Sequence, residues 1–106
     1  MSISYQDAYR RLLDSRENLA SQDITALPRK EQIKLLEAQQ AVYSEIQAFL
    51  IEHMTDREDS FSILTDKFRQ SRSDFQDIQG WAQKAAKTGE MVSGLLKGVS
   101  LALTLL

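Results

Sequence analysis

The sequence predicts an all-α protein, an antiparallel three- or four-helix bundle with an apolar C-terminal helix. Three observations carry that prediction. Apolar side chains recur every three or four positions through most of the chain, which is the spacing of a helix face and not of a strand. Only 4 Gly and 1 Pro interrupt 106 residues, few breakpoints for a sandwich or barrel. Hydrophobic residues are 42% and charged residues 26%, the balance of a chain that buries a core. At this length one small domain is expected, with a helical body over 1–88 and the apolar helix over 89–106. That last helix either completes the same domain or forms a contact-making tail.

The first helix is expected over 4–21, with Ser4 as N-cap and Asp7 near the positive end of the helix dipole. Tyr5, Ala8, Tyr9, Leu12, Leu13, Leu19 and Ala20 follow a helical face, while Arg10, Arg11, Asp14 and Glu17 take the other side. The stretch SQDITALP breaks the pattern. Pro28 disfavours helix at Leu27 and suits a helix start, so a second helix is expected over 28–54. Leu35, Leu36, Val42, Tyr43, Ile46, Phe49, Leu50, His53 and Met54 read there as one broad apolar stripe.

A turn is expected at TDREDS, where Thr55 and Glu58 have capping-box spacing. The third helix is expected over 56–87. Phe61, Leu64, Phe68, Ser71, Phe75, Ile78, Ala82 and Ala85 alternate by three and four, and the bulky Phe positions suit an antiparallel bundle core. Thr88-Gly89 resembles a helix stop, with Lys84 and Lys87 favourably placed in the last turn. The same phase resumes through Val92, Leu96, Val99, Leu103 and Leu106, so Gly89 reads as a hinge or a thin spot in one long helix.

The terminal stretch SGLLKGVSLALTLL is the segment with a functional flavour. As a helix it spans ~21 Å, against a hydrocarbon core of ~30 Å, which is too short for a simple membrane span. Lys97 near its middle adds about 2–3 kcal/mol to insertion. Glu90, Ser93, Lys97, Ser100 and Thr104 share a narrow polar face, and Gly94 and Gly98 border it at a spacing that lets backbones approach. The rest is Leu, Val and Ala, more apolar surface than a small charged body is expected to cover alone.

The expected contact residues are therefore Val92, Gly94, Leu95, Leu96, Lys97, Gly98, Val99, Leu101, Leu103, Leu105 and Leu106. The function expected from them is a non-enzymatic helical module that self-associates or engages a membrane, up to permeabilising it. The alternative is a soluble protein–protein adaptor or oligomeric assembly subunit whose C-terminal helix completes a bundle core. The expected partners are a second copy, another protein or a membrane, in the cytoplasm or at a membrane surface.

Other function classes find little in the sequence. A formal charge of -2, without clustered basic residues, gives no pull toward nucleic acid. With 0 Cys there is no disulfide framework, thiolate nucleophile or Cys-based zinc site, which is compatible with a reducing compartment. The polar start MSISYQDAYRRLL is not expected to act as a cleaved signal peptide. His53 is the sole histidine and reads as a core or edge residue, with no second ligand at metal-site spacing. No phosphate loop, dinucleotide fingerprint or catalytic triad is present, so neither a cofactor nor catalysis is expected.

Overall fold

The local signals that start and stop helices account for most of the secondary structure. The computed structural model describes residues 3–52 and 59–106, and within them the chain is all-helical. Five α-helices form: α1 (Tyr5–Ala20), α2 (Arg29–Glu52), α3 (Asp66–Gln70), α4 (Arg72–Lys87) and α5 (Ser93–Leu103), with a 3-10 turn at Ile24–Ala26. At the start of α1 the Ser4 hydroxyl accepts from the Asp7 N–H at 3.2 Å. The Asp23 carboxylate caps the 3-10 turn, accepting from the Thr25 hydroxyl at 2.6 Å and its N–H at 3.0 Å. Those two bonds hold Asp23 below the usual carboxylate range. Helix α2 opens directly after Pro28, whose carbonyl accepts from the Gln32 N–H at 2.9 Å.

Helix α5 packs on α1 and α4, and α2 packs on α1, α3 and α4. The core between them holds Leu12 and Leu19 of α1, Leu35 and Val42 of α2, Phe68 of α3, and Phe75 and Ile78 of α4, none exposed. One end is closed by aromatic rings. Phe49 lies edge-on to Tyr5 at 5.4 Å and stacks on Phe61 at 5.5 Å, and the Tyr9 ring sits 5.6 Å from Phe49.

The single helix expected over 56–87 does not form as such. Residues 59–65 are non-helical, and helix resumes only at Asp66, where the Thr65 hydroxyl accepts from the Phe68 N–H at 3.2 Å. Two tertiary interactions hold this segment out of the helix. Ser60 bridges Ser4: the Tyr5 N–H donates to the Asp59 carbonyl (2.9 Å), and the Phe61 N–H donates to the Ile3 carbonyl (2.7 Å). The fully buried Glu45 carboxylate then accepts from the N–H groups of Leu64 (2.6 Å) and Thr65 (2.9 Å) and from the Thr65 hydroxyl (2.7 Å). Phe61 and Leu64 still pack against the core, but from non-helical backbone. His53, Met54, Thr55 and Glu58 lie outside the described residues.

Helix α4 keeps the expected seam: Phe75, Ile78, Ala82 and Ala85 are buried. It stops at Gly89, which has φ +89°, with the Glu90 and Gly89 N–H groups donating back to the Ala85 and Ala86 carbonyls. This is a left-handed glycine stop, so the continuous helix through Gly89 is corrected. The phase is carried through the turn only in part: Val92 and Val99 are buried, while Leu96, Leu103 and Leu106 pack at the edge of the core. In α5 the buried set is Leu95, Gly98, Val99 and Ala102, and Leu96 and Leu103 of the extrapolated phase are only half-buried.

Candidate functional site

Helix α5 is covered on one side within its own chain. Of the residues expected to make contacts, Val92, Leu95, Gly98, Val99 and Leu105 are buried, and Gly94, Leu96, Leu101, Leu103 and Leu106 are half-buried. Lys97 is exposed, as are Glu90, Ser93, Ser100 and Thr104, so the polar stripe faces solvent. The two glycines provide the close approach their spacing suggests, and α1 is the helix that approaches. A Cβ on Gly98 would stand 2.9 Å from Leu19 Cγ and 3.0 Å from the Ser15 carbonyl oxygen. At the same point the buried Ser15 hydroxyl donates to the Gly98 carbonyl at 2.7 Å. The small charged body therefore buries one side of its greasy end and leaves Leu96, Leu101, Leu103 and Leu106 partly open to solvent. Met91, 91% exposed in the turn before α5, is the one large apolar side chain left bare there.

The exposed apolar side chains lie mainly on α2. The stripe expected as one divides into two ladders of seven-residue period. Leu35, Val42 and Phe49 are buried; their immediate neighbours Leu36, Tyr43 and Leu50 are 50%, 44% and 50% exposed. Consecutive residues stand about 100° apart around a helix, so packing against α1, α3 and α4 takes one ladder and leaves the other outside. Ile33 and Ile51 extend the outer ladder, at 53% and 81% exposure. Between its apolar rungs the outer face carries Gln40 and Gln47 and no charge.

This face opens into a groove of about 430 Å³. Leu36, Gln39, Gln40, Tyr43 and Ser44 form its floor, Arg16 and Ala20 of α1 close one side, and Lys67 of α3 the other. The lining is held in place by local bonds. The Arg16 guanidinium carbon sits 5.3 Å from the Tyr43 ring centroid, and Gln47 Nε2 donates to the Tyr43 hydroxyl at 2.7 Å. Lys67 Nζ donates to Gln40 Oε1 at 3.2 Å, and Gln39 Nε2 to the Leu19 carbonyl at 3.1 Å. Among the described residues no carboxylate lines the groove, and neither Arg16 nor Lys67 has a carboxylate partner.

The remaining charges serve other seams. Lys34 and Asp77 join α2 to α4 at 2.7 Å. That hydrogen bond raises the Lys34 pKa and lowers that of Asp77, while partial burial raises Asp74 beside them. Arg69 pairs with Asp66 one turn away. Among the described residues no group of His, Cys, Asp and Glu is placed to hold a metal, and no helix is long and apolar enough to cross a membrane. Trp81 is half-buried on α4.

No protein-family model, no curated protein and no solved structure matches the chain. The α2 face was legible only as part of one broad apolar stripe; which of its rows is exposed was not. Arg16 and Lys67 could not be placed beside it from the sequence, because they reach it from two other helices.

Proposed function

We propose that the chain is a non-enzymatic adaptor or assembly module, an antiparallel helical bundle that receives a helix of another protein on the outer face of α2. In this reading the apolar C-terminal helix completes the bundle core. The observation that supports it is the half-exposed ladder Leu36, Tyr43, Leu50, set apart from the core ladder of the same helix. Contiguous apolar surface with a helix period and no charge between its rungs is the usual footprint of a helix-in-groove contact.

The reading in which α5 itself meets a second copy or a bilayer carries a larger energetic demand. Val92, Leu95, Val99 and Leu105 would leave their places against the rest of the chain. Exposing four such side chains costs about 6–12 kcal/mol, comparable with the whole stability of a small domain, and the new surroundings must return it. The α2 face needs no such release.

Site-specific photo-crosslinking tests the proposal. A photoreactive residue replacing Leu50 in the native host is expected to give one discrete protein adduct, and the same residue replacing Lys97 none. Adducts from position 97 but not from position 50 would move the contact to α5 and sink the α2 reading. Flotation of the full chain with liposomes, compared with a chain ending at Thr88, tests the bilayer reading. Equal behaviour of the two removes it.

A further inference from the structure

We propose that the α2 groove takes an acidic amphipathic helix of another protein, its apolar side chains seated on Leu36, Tyr43 and Leu50 and its carboxylates paired with Arg16 and Lys67. This names the partner class for the interaction module proposed above and rests on that reading. Two observations decide the occupant. The first is charge. The chain as a whole is acidic, at -2, yet the groove is lined by two cations and, among the described residues, by no carboxylate. Arg16 is already fixed over the Tyr43 ring and Lys67 is tethered to Gln40, so both stand beside the apolar floor without an ionic partner. An incoming Glu or Asp on either flank gains a charge-assisted hydrogen bond at little ordering cost.

The second observation excludes the simplest alternative, a second copy of this chain. Arg16 and Lys67 approach α2 from opposite flanks. Antiparallel pairing of two α2 faces brings like flanks together at the midpoint of the ladder, Tyr43, setting Arg16 against Arg16 and Lys67 against Lys67. Parallel pairing sets Arg16 against Lys67. Either orientation places cation on cation beside an apolar seam, the arrangement that flanking charges use to reject a partner. An acidic helix meets the same two side chains as attractions.

The test uses the full chain and two fluorescein-labelled peptides of three heptads, with Leu at every a and d position. One peptide carries Glu at e and g, the other Lys. By fluorescence anisotropy the Glu peptide is expected to bind at least about tenfold more tightly, with the preference weakening as salt rises. An Arg16→Glu, Lys67→Glu double variant should invert the preference, and Leu36→Asp or Leu50→Asp should remove binding with little change in thermal unfolding. If both peptides bind equally and Leu36→Asp still removes both, charge recognition is wrong and the helix-docking face stands. If binding ignores Leu36→Asp and Leu50→Asp, the proposal and the reading beneath it both fall. Failure of the Glu peptide to bind, or a dimer of the chain that Leu36→Asp dissolves, overturns the acidic partner and leaves the face itself to the crosslinking experiment.

Discussion

Helices α2 and α5 invert the order of exposure that their compositions suggest. Helix α5 holds a single charge and is largely Leu, Val, Ala and Gly, yet α1 and α4 cover one side of it and its polar stripe faces solvent. Helix α2 carries Arg29, Lys30, Glu31, Lys34, Glu37, Glu45 and Glu52, yet it leaves Ile33, Leu36, Tyr43, Leu50 and Ile51 exposed. Width of the apolar sector explains part of the difference. A short helix can be covered on one side by two neighbours when glycine lets one of them approach to backbone contact, as Gly98 does against Ser15 and Leu19. A long helix with two ladders on different sides cannot bury both against the same neighbours. Exposed apolar surface thus reflects how many helices surround an element more than how greasy that element is.

Measurements that separate the two helices sharpen the comparison. The largest effect is expected for Leu95→Ala, which empties a fully buried site in α5 and should cost about 3–5 kcal/mol in denaturant unfolding. Leu36→Ala on α2 should cost under about 1 kcal/mol, since half of that side chain already meets water. Comparable losses at the two positions would mean that the outer ladder is buried in solution.

Glu45→Gln comes next. The amide offers one acceptor oxygen where the carboxylate offers two, and its NH2 is turned on a backbone N–H. A loss of about 1–3 kcal/mol is expected, with faster hydrogen exchange of the Leu64 and Thr65 amides reporting the release of residues 59–65.

The glycines give a pair of opposite sign. Gly98→Ala should destabilise by about 1–3 kcal/mol, because the new methyl meets Leu19 and the Ser15 carbonyl at or below 3.0 Å. Gly80→Ala should stabilise by about 0.5–1 kcal/mol, since nothing lies within 4 Å of the added carbon and alanine favours the helix. A neutral Gly98→Ala would show that α1 and α5 can part easily, which the bilayer reading requires.

The smallest effects belong to the α2–α4 charges. Lys34 holds the Asp77 pKa below its unfolded value, so that contribution is complete above the normal carboxylate range and disappears as pH falls through the depressed value. The same contact raises Lys34, so once Asp77 is charged the pair persists to the ordinary lysine value and is lost as pH climbs through the raised one. Asp74 is raised by burial, so its charged form works against folding above the carboxylate range. Asp77→Asn should therefore weaken the protein slightly at neutral pH and Asp74→Asn strengthen it slightly. Read as unfolding midpoints across pH, the Asp74 difference should close as pH falls through its raised value and the Asp77 difference only further down, through its depressed one. Differences of the same sign would refute the assignment.

Much of the fold is local and was legible for that reason. Ser4, Pro28 and Gly89 act on their own backbones through capping, a fixed φ and a left-handed turn, and the Phe75, Ile78, Ala82, Ala85 seam follows from helical spacing alone. Pairings over long sequence distance were not legible. The carboxylate of Glu45 reaches Leu64 and Thr65, and Ser4 bridges Ser60, which together keep residues 59–65 out of a helix that their own pattern allows. The candidate site divides in the same way. Its apolar rungs were visible only as part of one broad stripe, while its cations come from α1 and α3 and meet only when the chain folds.

By itself the sequence determined that the chain is helical, where most of its helices begin and end, and which positions of α2 are apolar. Tertiary structure alone decided that Leu95, Val99 and Ala102 of α5 are buried and that Leu36, Tyr43 and Leu50 face outward. Helix formation depends on neighbours within four residues, whereas the choice of which apolar row to bury depends on helices that lie far away in the chain.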